Sequence, residues 1–122
     1  MASDNGDGQG ERRAVDRKII AYFARVFDIK SNELLGNLGD ITSQGIMLIG
    51  EVPIPVNSVF NVKLELSEDV AEKNFMEIEI ESIWCQPDIS PNRYNTGFRI
   101  TAIDPDDREI IEQIVAEYGI RR

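Results

Sequence analysis

Met76-Glu77-Ile78-Glu79-Ile80-Glu81-Ser82-Ile83-Trp84 decides how this chain is read. Apolar Met76, Ile78, Ile80 and Trp84 oppose Glu77, Glu79 and Glu81, a period of two in which one side is apolar and the other charged. Such alternation predicts a strand with one face buried and one in water, the signature of an antiparallel sheet covered on one side only. The glutamates are its solvated face. Val59–Leu66 repeats the pattern, with Phe60, Val62, Leu64 and Leu66 against Asn61, Lys63 and Glu65. Charged Ser67–Asn74 joins the two as a loop or a single helical turn.

Working outward, Ile19–Ile29 (IIAYFARVFDI) is rich in β-branched and aromatic residues and predicts a strand that Lys30-Ser31-Asn32 breaks. Leu34–Leu38 and Ile46–Ile49 are the next two strands, and Pro53 and Pro55 suit a loop or an edge. After the polar loop Pro87–Asn95, Thr96–Ile103 is the last strand. The period then changes. Asp104 suits an N-cap, Pro105 the first helical position, and Asp106, Asp107 and Glu109 the positive end of a helix. Ile110, Ile111, Ile114, Val115 and Tyr118 recur at helical spacing up to Gly119, which predicts a helix over 105–118 packed on the open end of the sheet. Five or six short strands and one terminal helix indicate a mainly β fold, a small closed or nearly closed antiparallel barrel.

The 122 residues suit one domain. Residues 1–10 carry almost nothing to bury and are expected to be a disordered tail; a basic arm, 11–18, precedes the barrel, 19–103. No apolar run approaches the ~20 residues that span a bilayer. The N-terminus lacks the apolar core of a secretory signal, and the lone Cys85 cannot form an internal disulfide. A cytoplasmic protein without membrane insertion is the expectation.

The chain has no histidine, which removes the usual general base and the commonest nitrogen ligand for zinc. Neither Asp4–Gly8 nor the segment after Asp28 has the register of a calcium loop. No enzyme, no metal and no cofactor are therefore expected. A net charge of −9 argues against DNA or RNA as a partner. That charge is uneven: residues 1–18 hold four basic and four acidic side chains, whereas 19–122 hold nine and eighteen. An acidic body thus carries a small basic arm.

Two short motifs stand out against this background. Arg13-Ala14-Val15-Asp16-Arg17 sets two guanidiniums four residues apart just before the first strand. Asp40-Ile41-Thr42-Ser43-Gln44-Gly45, between two apolar runs, offers a carboxylate, a hydroxyl and a glycine. Residues two apart on a strand share a side, so Asp40 and Thr42 can act together, and Gly45 permits close backbone approach. If the intervening strands are neighbours, arm and turn reach the same end of the sheet.

In this pairing the sequence resembles the PilZ domain, the bacterial receptor family for cyclic di-GMP, whose signature is R-x-x-x-R followed some twenty residues later by D/N-x-S-x-x-G. Arg13 and Arg17 match the first part; Asp40, Thr42 (where serine is usual) and Gly45 match the second. Trp84, late in a strand, and Gly97, opening the last one, agree. The resemblance covers about 12–103 and implies a six-stranded, split antiparallel β-barrel with a C-terminal α-helix. It also implies a cyclic di-GMP site of Arg13, Arg17, Asp40, Thr42 and Gly45, with Arg12, Ser43, Trp84 and Gly97 as further candidates. Trp84 is expected to be a buried core anchor, following its place in the alternation. The function so implied is signalling in motility or biofilm formation through an effector protein. The competing assignment is a nucleotide-free adaptor of the same fold in pilus or motility assembly.

Overall fold

The computed structural model describes residues 24–66 and 71–118 of the chain, with side chains through residue 116. The arm, the tail and the first part of the predicted Ile19–Ile29 strand lie outside the described residues, as do 67–70 of the Ser67–Asn74 connection.

Six strands follow in order: β1 (Arg25–Asp28), β2 (Leu34–Ile41), β3 (Gly45–Gly50), β4 (Val59–Glu65), β5 (Phe75–Pro87) and β6 (Tyr94–Ala102). One helix, α1 (Pro105–Tyr118), ends the described chain. The strands form a closed barrel in the order β1-β2-β3-β6-β5-β4, every pairing antiparallel. Short β1 closes it, pairing with β2 on one side and β4 on the other. Its start is held to β4 by a two-pronged ion pair, Arg25 Nε and Nη2 to Glu65 Oε1 and Oε2, each 2.8 Å.

Both alternating stretches are strands, and their apolar sets, Trp84 apart, face inward. Val62, Leu64, Met76, Ile78 and Ile80 are buried, while Phe60 and Leu66 pack on the core from partly buried positions. Burial of such side chains contributes roughly 1.5–3 kcal/mol each. Phe60 meets Phe98 edge to face, ring centroids 6.3 Å apart. Ile111 and Ile114 of α1 join this core, with Ile110 and Val115 packed against it.

The boundaries that matter most for the site differ from the sequence expectation at the β2–β3 turn and the last hairpin. β2 runs on to Ile41, and β3 begins at Gly45, so Thr42-Ser43-Gln44 alone makes the turn. β6 starts at Tyr94, because Pro87 and Gln86 of β5 find partners in Tyr94 and Asn95. Asp88 closes that hairpin, accepting from Asn95 Nδ2 at 2.9 Å and from the Ser90 amide at 3.3 Å.

One expectation is overturned. Trp84 is not a core anchor: the ladder slips between Ser82 and Trp84, and Trp84 is 38% exposed. Ser82 takes the inward place instead, fully buried, donating to the Pro55 carbonyl at 2.6 Å and accepting from the Ser58 amide at 2.9 Å. The extra residue, Ile83, is a β-bulge, and a bulge re-aims whatever follows it.

Candidate functional site

The registers of four adjacent strands build the site. Asp40 of β2 stands opposite Met47 of β3, Met47 opposite Gly97 of β6, and Gly97 opposite Trp84 of β5. With strands ~4.8 Å apart, this row runs roughly 14 Å across the sheet. The rows on either side are inward-facing: Leu38–Leu48–Thr96–Cys85 on one side and Ile41–Ile46–Phe98–Ser82 on the other. Every member of these two rows is buried except Cys85, which is partly so. The row between them faces outward.

Two bulges make that possible. Leu38 and Ile41 are three residues apart yet both buried, which strict alternation forbids. The register shift between Leu38 and Asp40 absorbs Gly39 and leaves Asp40 pointing out. The slip at Ile83 does the same for Trp84 at the far end of the row. A carboxylate and an indole thus border one shallow cleft, whose walls include Asp40, Thr42, Gly45, Met47, Trp84 and Gly97 and whose volume is about 190 Å³.

Local chemistry fixes each side chain. The Asp40 carboxylate accepts the amide of Ile41 through Oδ1 at 2.8 Å. The Thr42 hydroxyl organises the turn: its Oγ1 accepts from the amides of Gln44 and Gly45 at 3.2 and 3.1 Å and donates to the Gly45 carbonyl at 3.3 Å. The Thr42 amide donates to the same carbonyl at 2.9 Å. This is a hydroxyl-capped turn, a role in which serine and threonine are equivalent donors and acceptors. The close approach that Gly45 permits is internal, since a Cβ there would collide with the Phe98 carbonyl oxygen of β6. Gly97 lies directly beneath Trp84, and a Cβ on it would enter the indole ring. Its lack of a side chain lets the indole lie flat on the sheet.

Of the residues singled out from sequence, Asp40, Thr42, Gly45, Trp84 and Gly97 therefore meet in one cleft. Ser43 does not line it; its carbonyl instead accepts from Arg108 Nη1 of α1 at 2.8 Å. Arg12, Arg13 and Arg17 lie outside the described residues. Sequence reasoning missed Met47, the floor of the row, and Ile83, the bulge. It also missed Arg99, which stands opposite Gly45 and is ion-paired with Glu81 at 2.5 Å. A signal for the bulge existed: Ile83-Trp84 sets two large apolar residues side by side where alternation allows one.

Among the described residues, no His, Cys, Asp and Glu cluster could hold a metal ion, and no helix is long and apolar enough to cross a membrane.

A family model, the PilZ domain, matches residues 11–117, and the chain belongs to the PilZ domain family. No curated protein matches the sequence. Among solved structures, apo MrkH of Klebsiella pneumoniae is similar with a TM-score of 0.62 and 18% identity, over 78% of this chain and 45% of that one. This chain thus corresponds to less than half of MrkH's length. The PilZ domain of Escherichia coli YcgR, solved with cyclic di-GMP, is similar with a TM-score of 0.58 and 13% identity, over 78% of this chain and 81% of that domain. At such identities the likeness is one of fold.

Proposed function

We propose that this PilZ domain is a cyclic di-GMP receptor, with Arg13 and Arg17 folding onto the cleft beside Asp40 and carrying the signal to a partner protein. The observation that supports it most is the outward row Asp40–Met47–Gly97–Trp84, which gathers the second motif, an aromatic surface and an open strip between them. Family membership and the ligand named for the YcgR domain point the same way.

The chemistry suits the ligand. An ionised carboxylate is acceptor-only, so Asp40 would take the guanine N1–H and N2–H donors. The planar fork of arginine would grip phosphate or the guanine O6/N7 edge and could stack on a base, neither of which lysine does as well. Trp84 offers a flat apolar surface, and base–aromatic stacking contributes about 1–3 kcal/mol. A cleft of about 190 Å³ is smaller than the ~300–1,000 Å³ usual for ligand sites, so part of the ligand would be covered by the arm.

Reach is adequate. The carbonyl of Ala24 accepts from the Leu38 amide at 2.8 Å, two residues from Asp40 on the same strand. Arg17 is seven residues before Ala24, at most ~25 Å of extended chain. At a net charge of −9 the body repels a dianion at long range, so affinity would come from contact and respond only modestly to salt.

Calorimetric titration with cyclic di-GMP, against GTP and cyclic di-AMP, tests this. Micromolar or tighter binding of cyclic di-GMP alone is expected, lost in Arg13→Ala and Arg17→Ala with thermal stability unchanged. Absence of heat, with unshifted amide resonances over 40–45, would leave a nucleotide-free adaptor. Normal binding by either arginine variant would remove the arm from the site.

A further inference from the structure

Arg108 stands where helix electrostatics do not favour it. It lies in the first turn of α1, its amide bonded to the Asp104 carbonyl at 2.9 Å, while the last turn holds no basic residue. Cations are favoured at the C-terminal end of a helix and disfavoured at this one. The acids Asp106 and Asp107 are the residues expected here. The guanidinium leaves the helix altogether. Its Nη1 donates to the carbonyl of Ser43, 65 positions earlier in the chain, from a partly buried setting.

That carbonyl belongs to the turn bordering the cleft. The three carbonyls from Ser43 to Gly45 are each held differently. Gly45 O accepts from Thr42, within the turn; Gln44 O accepts from the Ile100 amide of β6 at 2.9 Å; Ser43 O accepts from Arg108. The turn is thus tied to itself, to the neighbouring strand and to α1. Next to Arg108, buried Asp107 is ion-paired with Lys73, which precedes β5. Hydrogen bonding to that carboxylate raises the Lys73 ammonium above its ordinary pKa. Adjacent residues in one helical turn therefore hold two different connections of the barrel.

We infer that Arg108 is a positioning residue for the cleft. It sets the Thr42–Gly45 turn, and with it Thr42 and the end of β2 carrying Asp40, and it couples that turn to α1. What tightens the turn tightens the start of α1; what pulls α1 away loosens the turn, by the reciprocity that binds any two linked sites. The ligand's identity rests on the cyclic di-GMP proposal above. The coupling of turn to helix does not.

The test compares wild type, Arg108→Ala and Arg108→Lys by amide hydrogen exchange, with and without saturating cyclic di-GMP, and by calorimetry. In Arg108→Ala the amides of Thr42, Gln44 and Gly45 are expected to exchange about tenfold faster while the β4–β5 ladder is unchanged. Cyclic di-GMP should bind about tenfold more weakly and should no longer slow exchange at 110–114, the slowing expected in wild type. Arg108→Lys, which can still donate to one carbonyl, should recover part of each effect. Faster exchange in α1 alone, with turn and affinity unchanged, would overturn the inference and leave Arg108 a helix-stabilising residue. If wild type binds no cyclic di-GMP, the receptor proposal fails, and the ligand-free turn exchange still decides: acceleration sustains the coupling and its absence refutes it.

Discussion

The β4–β5 ladder and the β2–β3–β6–β5 face of the same barrel obey different rules. From Val59↔Glu81 to Glu65↔Phe75, seven pairs follow without a slip, and side chains alternate strictly in and out. Across the other face the register shifts between Leu38 and Asp40, between Ser82 and Trp84, and also between Glu79 and Ile80. The first region is all packing. In the second, the first two shifts each turn one polar or aromatic side chain outward while its neighbours stay in the core. Regular strands build the core, and interrupted ones aim the residues that border the cleft.

That contrast can be broken experimentally. Deleting Lys63 from the regular ladder would invert half of β4, sending either Phe60 and Val62 or Leu64 and Leu66 to the wet face. Two such side chains at roughly 1.5–3 kcal/mol each are a large share of the ~5–15 kcal/mol that holds a domain together. No cooperative thermal transition is expected by circular dichroism. Deleting Ile83 should do far less. Ser82 and Trp84 would then be consecutive, still opposite Phe98 and Gly97, with Ser82 inward and Trp84 outward. The variant should fold with a stability loss of about 1 kcal/mol, read by urea titration. Loss of the fold would show that the bulge is needed for closure and not only for aim.

The smallest effect concerns the β5–β6 hairpin. The side-chain amide of Asn95, with the Ser90 amide, holds the Asp88 carboxyl below its ordinary value of 3.8. A lowered folded pKa means the unfolded chain takes up the proton first. The stabilisation is therefore full above 3.8 and is lost as pH falls through the folded value. Asp88→Asn should melt slightly below wild type at pH 6, and the two curves should converge below pH 3.8, followed by scanning calorimetry. As the group is only partly buried, the gap at pH 6 should be small.

What could be read from sequence follows the same division. The alternation at 59–66 and 76–81 depends on which side of a strand is wet, and it placed every inward residue there correctly. Helical spacing, the Asp104 cap and the first-turn acids located α1, because those signals are local. Trp84 was misplaced because its side depends on a slip against β6, a property of two strands and not of one. Asp40, Thr42 and Gly45 were read as a group and meet in one cleft, yet the hydroxyl of Thr42 is spent on its own turn and Gly45 makes room for Phe98. Arg108 left only an indirect trace, a cation at the wrong end of a helix. Its partner is 65 residues away, and a contact of that range has no periodicity to betray it.

Closure of the barrel by β1 has a further consequence. Each of the six strands has a neighbour on both sides, so over the paired stretches no row of amides and carbonyls is offered to a strand from another chain. Recognition by strand addition, one way in which a sheet captures an extended peptide, is closed to those stretches of the wall. A protein that engages those stretches must do so through side chains on the strand faces.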